Sequence, residues 1–167
     1  PILDDLEKGN KIYIYTGRGP SSDALHLGHL VPFIFTQYLQ EAFDSHLVVQ
    51  LTDDEKYLWK PIEIPETEVY AIENIKDIIA SGLNPEKTFI FKDYDYMERM
   101  YPTITKIQSR ITFNQVKGIF GFQSHDNVGK IAFPAIQAAP AFPECFPHLF
   151  GKQKEYQRYI LNTWTWK

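Results

Sequence analysis

The segment Tyr15–His29, YTGRGPSSDALHLGH, is entered by a β-branched apolar run and left by an apolar helical pattern. That order implies a strand, a tight glycine- and serine-rich bend and a helix N-terminus. Such a bend gathers unpaired backbone N–H groups and the positive end of a helix dipole at one point, an arrangement suited to a phosphate. His26 and His29 stand three apart and so share one face of the helix start. Gly28, between them, places no side chain in the way of an approaching ring. The stretch points to nucleotide chemistry.

Outward from this bend the pattern is that of an α/β protein. Residues 11–16 read as a first strand, and a long helix is predicted from Ser22 to Phe43. Ser21, Ser22 and Asp23 are its cap candidates, and Pro32 is expected to bend it. HLVVQLT (46–52) is nearly all apolar, as a strand buried on both faces should be. DDEKYLWK (53–60) leaves that strand as a loop or short helix, and Pro61 and Pro65 punctuate the chain. Residues 66–81 predict an amphipathic helix with Val69, Ile72, Ile75, Ile78 and Ile79 on one stripe and Gly82 beyond its end. TFIFK (88–92) reads as a third strand, and 93–142 as helical pieces broken near Pro102 and Gly118–Gly121. This alternation implies a parallel sheet with right-handed crossovers. Ligands then bind outside the C-terminal ends of its strands, where the 16–22 bend and the polar cluster 50–56 both fall.

A chain of 167 residues suffices for one domain with a real core, and twelve Phe and ten Tyr argue against disorder. The net charge of −4 excludes a generally basic nucleic-acid binder, so any RNA contact needs a local patch or a further part of the protein. With Cys145 as the single cysteine no internal disulfide can form, which points to an intracellular compartment. No apolar run approaches the ~20 residues of a membrane span, and no signal-peptide pattern opens the chain. The start at Pro1 without methionine suggests that upstream sequence has been removed.

Each polar constellation has more than one reading. Gly17-Arg18-Gly19-Pro20-Ser21-Ser22 approximates the dinucleotide fingerprint, but Ser22 replaces the third glycine, and the acidic residue expected about 20 positions on is missing at the end of strand two, Asp53 coming well later. No Gly-Lys-Ser/Thr closes it as a phosphate loop. The two histidines can equally be surface residues or half of a metal site. Gln50 lies inside an apolar strand, where its amide must find partners. Asp53, Asp54 and Glu55 read as a metal cluster, as an acidic helix start or as ligands for an amine, capping being the default for Asp53 and Asp54. Lys56 either reaches a phosphate or is solvated. Gln137 stands among small apolar residues in FPAIQAAP (133–140). Cys145 has no catalytic partners in any familiar pattern and reads as inert, and no zinc-ligand spacing occurs.

Taken together, YTGRGPSS, HLGH, TDDEKYLWK, TFNQVKGIFGF and FPAIQAAP resemble the catalytic domain of the tryptophanyl-tRNA synthetases of eukaryotic and archaeal type, over about Lys11 to Phe150. The resemblance implies a class I, Rossmann-like domain of the HUP type, a parallel sheet flanked by helices, here incomplete. It implies activation of tryptophan with ATP and Mg2+ and transfer to tRNA(Trp) by a cytoplasmic homodimer, with neither membrane nor DNA as partner. His26, Gly28 and His29 then match the first ATP-binding signature, and Gly17, Arg18 and Gly19 line the same site. Tyr15 and Gln50 match residues that bind the indole N–H. Glu55 and Gln137 match those that hold the α-amino group, and Lys56 lies near the ATP phosphates. No metal ligand among the side chains is implied.

The family's second signature, a KMSKS-type lysine loop, has no counterpart, and Gly129-Lys130 does not replace it. A later block with another amine-contacting glutamine is also absent. GKQKEYQRYILNTWTWK (151–167) shows no placed likeness and stands as an unassigned tail behind an N-terminal catalytic portion, 1–150. The isolated chain is therefore expected to form adenylate slowly or not at all, as read by pyrophosphate exchange. Competing readings are a tyrosine-specific relative or other nucleotidyltransferase, and a non-catalytic half-domain that binds tryptophan or ATP. A dehydrogenase linked to NAD fits poorly, for the spacing reasons above.

Overall fold

A computed structural model describes residues 2–151 and 156–160. Helix α1 (Ile2–Glu7) leads into strand β1 (Lys11–Arg18), and helix α2 (Leu27–Ala42) into β2 (His46–Leu51). Helices α3 (Asp53–Trp59) and α4 (Ile64–Ala80) precede β3 (Thr88–Lys92). Helices α5 (Asp93–Gln108), α6 (Phe113–Phe120) and α7 (Val128–Ala138) follow, then two 3-10 turns, the short helix α8 (Pro147–Phe150) and β4 (Tyr156–Ile160). All pairings are parallel, in the order β3-β2-β1-β4, with Gly17 opposite Gln50 and Arg18 opposite Leu51. The predicted parallel α/β sheet is thus present, with a fourth strand from the segment that sequence pattern leaves unassigned.

The sheet is covered on both faces, which explains its near-continuous apolar strands. On one face Tyr13, Tyr15, Val48 and Phe91 pack with Met100 and Ile104 of α5, Ala135 of α7, and Phe146 and Phe150. On the other, Ile14, Leu47, Val49 and Leu51 pack with Phe33 of α2 and Ile78 of α4. Period-two alternation along each strand sorts these two sets.

Four expectations need correction. Helix α2 begins at Leu27 rather than Ser22, and its N-cap is His26, with no side-chain cap bond. Residues 19–26 instead form a loop held from outside: Asn74 Nδ2 donates to the Ser22 carbonyl (2.7 Å) and Leu25 N–H donates to Asp77 (2.9 Å). The buried stripe of α4 is Thr67, Ala71, Asn74 and Ile78, while Val69, Ile72 and Ile79 face outward. The inward face carries polar groups because they brace that loop. Pro65 lies in the first turn of α4, where a missing N–H costs nothing. Pro102 does not break α5, whose Met100, Thr103 and Ile104 are buried against the core on both sides of it. The break at Gly121 does occur, in the left-handed conformation (φ 73°) that glycine tolerates.

Candidate functional site

The C-terminal ends of β1 and β2 bring most of the expected residues together. Tyr15 and Gln50 project to the α5/α7 face, and the Tyr15 hydroxyl stands 2.5 Å from Gln50 Oε1 and 2.9 Å from the Gln137 carbonyl oxygen. One hydroxyl proton therefore faces two acceptors and can serve only one of them at a time. Burial, and then the nearby Asp93 carboxylate, push the Tyr15 phenol well above its ordinary range, so it remains a neutral donor. Gln137 is half-buried at the end of α7, and its backbone ties that helix to the pair.

Gln50 is fully buried, and its Nε2 donates to Asp93 Oδ1 at 2.7 Å. Asp93 opens α5 at the end of β3, is itself buried, and was absent from the sequence-derived site. The topological rule that ligand groups gather at strand C-termini is the signal that points to it. Its Oδ2 has no hydrogen-bond partner among the described residues. Burial and the Asp54 carboxylate push Asp93 well above the usual carboxylate range.

The acidic run 53–55 is buried in the first turn of α3. Asp54 accepts from the Glu55 N–H (2.7 Å), whereas Asp53 accepts from the Tyr94 N–H (3.3 Å) and so serves the first turn of α5 instead of its own helix. Burial pushes Asp53 up to about 6. Glu55 is held from both sides: its Oε2 accepts from Thr52 (2.6 Å) and its Oε1 from Lys56 Nζ (2.9 Å). These bonds fix a carboxylate in place, as recognition of an ammonium group requires. Thr52, another residue missed at first, is tied to β1 by donating its N–H to the Arg18 carbonyl. Among the described residues, no group of three or more His, Cys, Asp or Glu is arranged to hold a metal ion.

On the opposite face lie Arg18, Gly19 and the histidines. Arg18 Nε donates to Asn74 Oδ1 (3.0 Å), and a terminal guanidinium nitrogen is buried without a hydrogen-bond partner among the described residues. Burial lowers the Arg18 pKa, with the Glu55 carboxylate opposing that shift. His26, the extended N-cap, and His29, in the first turn of α2, stack with ring centroids 3.5 Å apart. His29 Nδ1 is likewise buried and unpartnered, and burial, then the Arg18 and His26 charges, bring its pKa down to about 4. Gly28 lies against His26, where an added Cβ would stand 3.2 Å from the ring. Gly17 is buried inside β1 beside Gln50 and links the two halves of the site. Arg18 at the end of β1 and His29 in the first turn of α2 each present a nitrogen unpartnered among the described residues, an arrangement able to take an anion such as a phosphate. Cys145 is buried 3.2 Å from the Ala139 carbonyl, and burial pushes its thiol up to about 11, in keeping with an inert residue.

A parallel sheet with a nitrogen-lined bend after its first strand, and a buried amide and carboxylate after its second, defines a Rossmann-like domain. Residues 7–140 match the model of the tRNA synthetases class I (W and Y), and the chain belongs to that family. It is 55% identical over 159 residues to the cytoplasmic tryptophan–tRNA ligase of Homo sapiens, covering 93% of this chain and 34% of that protein. To the cytoplasmic tryptophan–tRNA ligase of Arabidopsis thaliana it is 56% identical over 150 residues, covering 89% and 37%. The tryptophanyl-tRNA synthetase of Trypanosoma brucei superposes with TM-score 0.90 at 52% identity, over 95% of this chain and 48% of that one. A tryptophanyl-tRNA synthetase from Encephalitozoon cuniculi bound to tryptophan superposes with TM-score 0.90 at 38% identity, over 95% and 46%. The chain thus spans about a third of the length of the curated relatives it matches. No helix among the described residues is long and apolar enough to cross a membrane.

Proposed function

We propose that this chain carries the tryptophan- and ATP-binding part of a tryptophan–tRNA ligase. The whole protein would act with Mg2+ on tRNA(Trp), as a homodimer in the cytoplasm, where its relatives' names place them. The supporting observation is the single Tyr15 proton facing the oxygens of Gln50 and Gln137. An indole N–H supplies the missing donor; a phenyl ring leaves a buried acceptor unpaired, a penalty that discriminates strongly. Glu55, with Gln137 beside the pair, would hold the α-ammonium, which places the carboxylate toward the phosphate-binding bend.

In the reaction the tryptophan carboxylate attacks the α-phosphorus of ATP and pyrophosphate leaves. No protein nucleophile is needed, so the residues contribute alignment and charge stabilisation. Arg18, His29 and Lys56 would face the phosphates, and the open surface at Gly28 would lie beneath the nucleoside. Mg2+ neutralises phosphate charge in such reactions and would be held chiefly by the ATP phosphates.

Calorimetry tests the assignment. Gln50→Ala should weaken tryptophan binding and leave ATP binding nearly unchanged, and His29→Ala should do the reverse. Equal loss of both ligands in either variant would make that residue structural. Tighter binding of tyrosine than of tryptophan by the unmodified chain would favour the tyrosine-specific relative.

A further inference from the structure

We infer that Asp93 is a positioning residue that sets specificity for the indole N–H by locking the Gln50 amide with its oxygen toward the ligand. The inference rests on the tryptophan-binding reading above. A glutamine side chain can present either its oxygen or its NH2 group in one direction, and the two ends have similar size and opposite hydrogen-bonding character. At Gln50 the choice is made by the neighbour behind it. Asp93 Oδ1 lies 2.7 Å from Nε2 and can only accept there, so the NH2 group turns to Asp93 and Oε1 turns to Tyr15. A flipped amide would set oxygen against oxygen at Asp93 and an N–H against the place where the indole N–H must dock.

The placement of Asp93 is hard to explain otherwise. It is completely buried and pairs with no arginine, lysine or histidine among the described ion pairs. A buried carboxyl held for stability alone is a poor solution, since apolar residues of similar volume do as well or better. The row Asp93, Gln50, Tyr15 thus runs from the start of α5 to the indole acceptors, with Asp93 orienting Gln50. Asparagine at 93 keeps an accepting oxygen in nearly the same shape.

The test is the ratio of affinities of the 167-residue chain for tryptophan and for β-(3-benzothienyl)alanine, which has sulfur where tryptophan has N–H. The unmodified chain should prefer tryptophan. Asp93→Ala and Asp93→Leu should lower that preference about tenfold, the scale of one buried hydrogen bond to a correctly oriented partner. Asp93→Asn should retain it within about threefold. A merely structural role would weaken both ligands together and leave the ratio unmoved, which overturns the inference, as does collapse of the ratio in Asp93→Asn. If neither apolar variant folds, the Gln50 side-chain amide decides in the unmodified chain with tryptophan bound: a scalar coupling across the hydrogen bond to the Asp93 carboxyl supports the inference, and free exchange of those protons overturns it. A chain that fails to distinguish the two amino acids at all refutes the underlying tryptophan reading, a separate result from an intact preference that Asp93 substitutions do not touch.

Discussion

Lys56 lies directly over Gly19: a Cβ built on that glycine would stand 2.1 Å from Lys56 Cε and 2.5 Å from its Nζ. The same Cβ would come within 2.9 Å of Glu55 Oε2, so the close approach holds the Lys56–Glu55 pair against the end of β1. The atoms in the way are the ends of flexible side chains. Gly19→Ala is therefore expected to displace the ion pair and leave the fold intact. Thermal melting should change by less than about 1 kcal/mol in stability, while ATP affinity falls roughly tenfold by calorimetry.

Tyr15→Phe removes the proton shared by Gln50 and Gln137 without changing the ring that packs on Val48 and Phe91. Both acceptors are then without it, at a cost of roughly 1–3 kcal/mol in urea denaturation. Tryptophan affinity should fall with ATP affinity preserved.

Asn74 braces the bend that follows β1. Its Oδ1 accepts from Arg18 Nε, and its Nδ2 donates to the Ser22 and Tyr70 carbonyls. Asn74→Ala should cost about 2 kcal/mol and loosen the 19–26 loop. Faster amide exchange at Leu25 and weaker ATP binding, with tryptophan binding retained, are the expected readouts.

Acid stability depends on two groups of opposite sign. His29 has its pKa lowered from 6.5 to about 4, so the unfolded chain binds more protons between these values. Its contribution to stability is present above pH 6.5 and is lost as pH falls toward 4. Asp53, raised from 3.8 to about 6, favours the folded state at low pH and loses that advantage as pH rises through 6. On lowering the pH across this range, His29→Gln should melt progressively closer to, or above, the unmodified chain. Asp53→Asn should fall progressively further below it. Parallel melting curves for all three proteins would contradict both assignments.

The strands β1, β2 and β3 and their parallel alignment were legible because their apolar runs stand between well-marked turns and alternate with helical patterns. What escaped was set by contacts distant in sequence. Ser21, Ser22 and Asp23 form a good capping pattern, yet α4 holds that segment as a loop through Asn74 and Asp77. The same bracing inverts the α4 stripe, so Val69 and Ile79 face outward where the pattern places them inside. Pro102 looks like a helix end until the burial of its neighbours is known. Asp93 was hidden in an ordinary acidic helix start, since its distinction is a bond to Gln50 across 43 residues of chain.

The most direct measurement is a crystal structure of the 167-residue chain grown with tryptophan. The indole nitrogen should lie within about 3.2 Å of the Tyr15 hydroxyl or Gln50 Oε1, with the amino group reaching Glu55. Tryptophan bound elsewhere, or an indole N–H turned away from both oxygens, would contradict the assignment.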